Sequence, residues 1–401
     1  MKRAMTWKQF MFVLPLLLLV AVFSLYPIVS SGVYTLFDYQ LNNQSLNRLY
    51  TQGSLNAGLF NEDIEYVLYY LGKDMDAVDE AGQAQLATMQ AEAQAYADRY
   101  AGQTGVRDLS GDEADEIAAF LDKLEADTAA FLTAYEGTRL RMANAPELIA
   151  EMRGCVIGSN FIGLSGYGRL LKDSRFWTAL TNTLIFTGIS VALELVLGMA
   201  LALIMNRSMR GIGLIRTTSL IPWAIPTAVS ALMWSYLYDG SSGVVAMMFT
   251  RLGIISSPEL LLTTATGTMA SAILADVWKT TPYMALLLLA GLQVIDTGLY
   301  ESSSIDGAGP VRTFRSITLP LIKPSLLVAL LFRMLDAFRV YDLIQVLTKG
   351  TPETLSIYAY KMMIGQSNYG YGSVIVVAMF LCVALIAFIF VKGLGAELIS
   401  E

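Results

Sequence analysis

Residues 371–391, YGSVIVVAMFLCVALIAFIFV, run for 21 positions without one charged side chain. That length crosses the hydrocarbon core of a bilayer as a helix, and in lipid only a helix or a closed barrel satisfies its own backbone. Five further apolar stretches read the same way, at about 10–37, 177–205, 217–238, 264–295 and 325–348. The fold class expected is an all-α polytopic membrane protein with six transmembrane helices. Composition agrees, since 55% of the 401 residues are hydrophobic and only 15% are charged, far from the balance of an ordinary soluble protein.

Charge divides the chain. Between Asp38 and Arg175 lie 22 acidic and 11 basic residues, a local net of −11 within a total of −7. An acidic, largely soluble domain is therefore inserted after the first span, at about 38–159, in a mildly basic membrane body. Its apolar residues recur at helical spacing: Ile64, Val67, Leu68 and Leu71 on one face, then Leu86, Met89, Ala93 and Tyr96. The clearest helix opens on a Ser110–Glu113 capping box, continues through Ile117, Phe120, Leu121, Leu124 and Phe131, and stops near Gly137. Another short helix is expected near Pro146. A small helical bundle is the first reading of this insert, and a coiled arm that docks a partner is the second.

Basic residues set the topology. The segments at 2–8, 207–216, 312–323 and 392 hold ten Lys and Arg (Lys2, Arg3, Lys8, Arg207, Arg210, Arg216, Arg312, Arg315, Lys323, Lys392), against three (Arg251, Lys349, Lys361) in the two short loops of the opposite side. The positive-inside rule puts the ten in the cytoplasm with both termini, and puts the insert outside. The start is read as an uncleaved first span, because its apolar run is longer than the core of a signal peptide.

Several chemistries are excluded. Histidine is absent, so the usual general base and the commonest metal ligand are missing. No G-x-x-x-x-G-K-[ST] loop occurs to cradle ATP phosphates. There is no basic patch with interleaved aromatics for nucleic acid. Cys155 and Cys382 fall one outside and one inside a span, so both read as packing residues rather than a bridge.

The stretch 300–324, YESSSIDGAGPVRTFRSITLPLIKP, lies on the cytoplasmic side between two spans. Tyr300 to Ala308 can form a short helix, Gly307 and Gly309 permit a break, and Pro310 can open a second helix on which Val311, Phe314 and Ile317 share a face. Glu301, Gly307 and Ile317-Thr318-Leu319-Pro320 spell E-x-x-x-x-x-G, nine residues, I-x-L-P. That spacing resembles the cytoplasmic coupling loop of permease subunits in binding-protein-dependent ABC importers, and Ile305 to Ala308 resemble the carbohydrate-uptake branch. The segment 160–182, with G-L-x-x-Y before F-W-x-A-L-x-N-T, is similar to the second span of sugar permeases, and it begins a permease core spanning 160–401 behind the first span at 1–37. An insert at the same point occurs in the larger maltose-type subunit, where it contacts the binding protein and is mainly β.

The resemblance implies partners: a second permease subunit, two ATPase subunits that bind ATP and Mg, an extracytoplasmic solute-binding protein, and lipid of a bacterial inner membrane. It implies no cofactor, metal or catalytic residue in this chain. Glu301, Ser302 and Ser303 stand where the family usually has E-A-A and would face the ATPase with Asp306. Gly307 would give the turn, and Pro320 would end the second helix beside Leu319. The solute would be a sugar or oligosaccharide moved by alternating access. A membrane sensor built on the outer insert is the reading from another class, and an acidic saccharide or glycerophosphate solute is the variant within transport.

Charges inside spans are expensive, and they either line a polar path or pair with one another. Glu194, Asp276, Lys279, Arg333, Asp336, Arg339 and Asp342 are of this kind. The maltose-type resemblance makes Asp276, Lys279, Thr280, Asp336 and Arg339 candidates for the solute path, and an internal ion-pair network is the competing reading. Asp336 and Arg339, three apart, are expected to share a helix face. Trp234 and Tyr238, near the outer end of the third span, either stack on a sugar ring or anchor the interface. The cations Lys279, Arg333 and Arg339 are the reason to consider an acidic saccharide.

Overall fold

The computed structural model describes residues 7–207 and 209–393; Lys2 and Arg3 of the expected cytoplasmic N-terminus lie outside them. The chain is mostly helical. Among the described residues five helices are long and apolar enough to cross a membrane, and a sixth span results if one sharply bent pair counts as one. It divides into two units, 33–165 with 367–370, and the remainder.

The chain opens on α1, Met11–Tyr34, whose side chains are largely exposed, as an apolar helix facing lipid requires. The second unit follows. It holds β1 (Ser54–Asn56), α2 (Ala57–Asp74), α3 (Glu80–Tyr100), β2 (Val106–Asp108), α4 (Gly111–Ala134), α5 (Ala145–Gly154) and β3 (Val156–Ile157). Helices α2, α3 and α4 start where short polar side chains accept the first free N–H groups: Asn56 from Leu59, Asp79 from Gly82, and Ser110 from Glu113, with the reciprocal Glu113 bond completing the box. Phe60, Ile64, Val67, Leu71, Leu86, Met89, Ala93, Ile117, Leu121 and Phe131 meet in one core, and Leu68 and Tyr96 pack at its edge. Asp74, almost fully buried, accepts from the backbone N–H groups of Arg141 (2.9 Å) and Met142 (2.7 Å), which fixes the return of the chain into α5.

An all-α description needs one correction here. The strands form a small antiparallel sheet in the order β2-β1-β3, pairing Leu55 with Arg107 and with Val156. Segments of two and three residues are too short to show a period of two. Cys155 and Cys382 are both free. Burial, with Asp63 3.8 Å from its sulfur, pushes the Cys155 thiol up to about 12.

The membrane unit continues with α6 (Ser165–Lys172), α7 (Ser174–Met205), α8 (Ile212–Ala224), α9 (Thr227–Leu237), α10 (Val244–Arg251), α11 (Ala265–Leu292), α12 (Thr297–Ile305), α13 (Pro310–Phe338), α14 (Asp342–Thr348), α15 (Leu355–Tyr360) and α16 (Tyr369–Lys392). Helices α7, α11 and α13 form its centre, around Phe186, Met205, Met284, Leu288, Leu292, Ile322 and Ala329. The backbone of α7 approaches α11 so closely at Gly198 that a Cβ there would fall 2.7 Å from the Met284 side chain, the small-residue contact that membrane helices favour.

Two expected spans differ. Pro222 and Pro226 are expected to kink the third, and the bend is larger than a kink: α8 and α9 meet at 88°, because Ile225 and Pro226 are extended and Pro226 has no N–H to continue the ladder. The fifth is α13, Pro310–Phe338, rather than 325–348. Pro320 does not end the second arm of the 300–324 hairpin. Its ring sits in the first turn of the regular helix that begins at Leu319, where no intrahelical N–H is required, and a wider turn at Phe314–Thr318 joins the arm to the span. Residues 342–348 form a separate helix.

Candidate functional site

Arg333, on α13, sits at the centre of the membrane unit with 1% exposure. Its Nε donates to Glu194 Oε2 at 2.6 Å and its Nη2 to Glu194 Oε1 at 2.8 Å, a bidentate pair with a fully buried carboxylate of α7. The same Nη2 donates to Asp276 Oδ2 on α11 at 3.2 Å, and Nη1 to Asp336 Oδ2 at 2.5 Å. The Thr280 hydroxyl donates to Glu194 Oε1 at 2.7 Å. One guanidinium thus ties three spans through three carboxylates, and the planar fork of arginine is what makes so many directed bonds possible. Asp336 is the exposed member, its side chain 65% accessible.

The sequence candidates separate into groups. Asp276, Thr280 and Asp336 belong to this cluster, while its two central members, Glu194 and Arg333, were recognisable only as charges within spans. Arg339 lies outside it: the regular helix ends at Phe338, and exposed Arg339 donates Nε to Leu335 O at 3.2 Å. Asp336, expected to share a helix face with Arg339, is instead bonded by Arg333, three residues before it.

Lys279 also stands apart. Its ammonium, 7% exposed, donates to Ile225 O at 2.7 Å and Trp223 O at 3.1 Å, both at the break between α8 and α9. Beside it Trp223 stacks on Tyr283, with centroids 5.4 Å apart and planes 8° from parallel. Tyr238 is fully buried rather than interfacial, stacked on Trp234 at 5.0 Å, and Trp234 meets the edge of Trp278 at 5.5 Å. Together they form an aromatic wall between α9 and α11.

A second tie closes the opposite end of α7 from Met205. Asp173, its N-cap, accepts from the hydroxyls of Tyr358 (2.5 Å) and Tyr371 (2.6 Å). Arg175 makes a bidentate pair with Glu353 at 2.7 and 2.8 Å, and Lys361 joins at 3.0 Å. The Asn182-Thr183 pair of the F-W-x-A-L-x-N-T phrase holds the same loop: Asn182 Nδ2 donates to Glu353 O at 2.9 Å, and Thr183 Oγ1 accepts from Leu355 N at 3.0 Å. Burial pushes the Glu353 carboxyl up, but the bonds from Arg175 and Lys361 outweigh it and hold the group below its ordinary value.

The 300–324 hairpin is built from its own hydroxyls. Gly307 takes φ +73°, open to glycine at no steric cost, and Gly307 N donates to Ser304 O at 3.1 Å. Buried Ser303 bonds Tyr300 O (3.0 Å) and Thr313 Oγ1 (3.2 Å), and Tyr300 OH lies 3.3 Å from Thr318 Oγ1. Glu301, Ser302, Asp306, Leu319 and Pro320 are exposed, and Ile317 is half-buried in the wide turn. A cavity of about 710 Å³, with Asn206 and Arg207 on one wall, lies behind the hairpin. Tyr300, Thr313 and Thr318 are the ties that the spacing motif did not single out.

The family described as binding-protein-dependent transport system inner membrane component matches residues 194–398. The trehalose transport system permease protein SugA of Mycobacterium tuberculosis is 46% identical over 238 residues, 59% of this chain and 76% of that protein. The trehalose/maltose transport system permease protein MalF of Thermococcus litoralis is 43% identical over 236 residues, 58% of this chain and 79% of that protein. A solved bacterial ABC transporter that imports the acidic polysaccharide alginate covers 57% of this chain and 83% of its own, at 22% identity and a TM-score of 0.48. The match decides between importer permease and membrane sensor. The chain belongs to the binding-protein-dependent inner membrane transport components, as a sugar-importer permease subunit whose ATPase activity lies in partner subunits.

Proposed function

We propose that this permease carries a neutral disaccharide of the trehalose or maltose class through a six-span core. Its insert faces outward and both termini face the cytoplasm, and it works with a second permease subunit, two ATPase subunits that bind ATP and Mg, and a solute-binding protein. The two relatives of highest identity named above support the solute class. The cations that raised an acidic solute favour the neutral one, because each has an internal acceptor: Arg333 three carboxylates, Lys279 two carbonyls, Arg339 its own helix.

The observation that carries the mechanism is the continuity of the hairpin with α13. Glu301, Ser302 and Asp306 present an exposed face to the ATPase, and Ser303 locks the two arms together. A push on the hairpin therefore cannot be absorbed at Pro320 and passes along the span. From Leu319 to Arg333 the helix rises about 21 Å, so displacement at the cytoplasmic surface reaches the guanidinium cluster as a rigid-body shift. Asp336, the cluster's accessible carboxylate, and the Trp234–Tyr238 wall then change their spacing across the solute's path, which is alternating access in mechanical terms.

Uptake by the full transporter in proteoliposomes tests this reading. Trehalose or maltose should drive ATP-dependent accumulation, with a uronate-containing saccharide neither transported nor competing. Preferred uptake of the uronate would overturn the solute class.

A further inference from the structure

The break in the third span leaves backbone polar groups in the worst place for them. Ending α8 at Ala224 and extending Ile225 and Pro226 frees carbonyls that a continuous helix would satisfy, and Pro226 removes one donor outright. In hydrocarbon an unsatisfied carbonyl is costly, and non-helical backbone persists only where protein supplies partners. Lys279 supplies them. Its ammonium reaches Trp223 O and Ile225 O from α11, at the carbonyl end of a half-helix, where a positive charge is favoured.

Lys279 is also one turn from Asp276 on the same helix face, and Asp276 is held by Arg333. The bend of the third span is thereby referenced to the helix that carries the guanidinium cluster, and the Trp223–Tyr283 stack beside the break fixes the same two elements a second time.

We propose that Lys279 is a positioning residue: its ammonium clips the broken third span to α11, and transport depends on the bend that this clip maintains. The proposal rests on the transport reading above, and it assigns Lys279 to the backbone rather than to the solute.

The test uses the complete transporter with Lys279→Met, Lys279→Arg, Pro226→Ala and the Lys279→Met/Pro226→Ala double variant. Lys279→Met should lower both thermal stability and uptake turnover, turnover by about tenfold, the worth of one charge-assisted hydrogen bond, with KM for the sugar changed less than about twofold. Lys279→Arg, which keeps the donor and the charge, should retain both properties. The double variant should regain stability, because alanine in place of Pro226 restores the N–H and lets the helix satisfy its own carbonyls, but not turnover, because the bend is then lost. If Lys279→Met does not assemble, recovery of assembled complex in the double variant gives the same answer. A raised KM at unchanged turnover, unchanged stability in Lys279→Met, or no recovery in the double variant overturns the clip. Wild-type uptake reports separately on the solute class, so failure of one reading is distinguishable from failure of the other.

Discussion

Replacing Arg333 by methionine keeps roughly the length of the side chain and removes the guanidinium. Glu194, fully buried, then loses its bidentate cation and keeps the Thr280 hydroxyl, and Asp276 loses its cation. Removing one partner of a buried ion pair typically costs about 3–5 kcal/mol, whereas replacing the whole pair by apolar groups is often close to neutral. The structure adds an asymmetry, because three carboxylates share one cation. Glu194→Leu leaves Arg333 two acceptors and should cost less, about 1–2 kcal/mol. Arg333→Met/Glu194→Leu should then be more stable than Arg333→Met alone, a non-additivity of opposite sign to two independent losses. Reversible unfolding in mixed micelles across the four proteins measures it. A double variant less stable than Arg333→Met would falsify the assignment of Arg333 as the shared cation of the cluster.

Gly307→Pro demands a φ near −65° where the chain takes +73° and deletes the N–H that bonds Ser304 O; the ratio of sugar moved to ATP hydrolysed should collapse while the complex still assembles, and an unchanged ratio would count against the hairpin as the coupling element. The Glu353 carboxyl is held below its ordinary value of 4.5, so its contribution to stability is present in full above that pH and is lost as pH falls through the depressed folded value. Glu353→Gln should remove this acid limb from a stability profile taken between neutrality and acid, and an identical limb in both proteins would refute it. In a Cys382→Ala background, the Cys155 thiol, pushed up to about 12 and buried, should resist maleimide at mildly alkaline pH until the insert unfolds; rapid labelling of native protein would contradict its packing.

Much of this architecture could be read from residues, and the failures share one cause. The insert's helices follow from a period of 3.6 and from caps that act within three residues, so Ser110–Glu113 and the Ile64–Leu71 face were accessible. Its three strands pair residues about 50 and 100 positions apart over two or three residues, which leaves no local signal. Asp336 illustrates the limit within the site. It has an arginine three residues away on either side, and spacing alone cannot choose; the choice was made by the end of the helix at Phe338, which carries Arg339 off the face, and by Glu194 and Asp276 arriving from other spans. Pro222 and Pro226 announce a bend in the third span, but the 88° it reaches, with Lys279 bonded to the carbonyls at the break, is a tertiary fact.

The guanidinium cluster also bears on how the chain is made. Its members leave the ribosome in the order Glu194, Asp276, Arg333, Asp336. A carboxyl can enter lipid uncharged by taking up a proton, whereas a guanidinium cannot shed its charge. The obligate cation therefore arrives after two of its acceptors, Glu194 and Asp276, are already in place, with the third, Asp336, one turn behind it. In the reverse order an unpaired arginine would have to be stored in hydrocarbon while its partners were synthesised. Insertion of α13 is thus the step that supplies the cation shared by Glu194 of α7 and Asp276 of α11, and a chain truncated before residue 333 should leave those acids unpaired and the helix pair more open to a membrane protease.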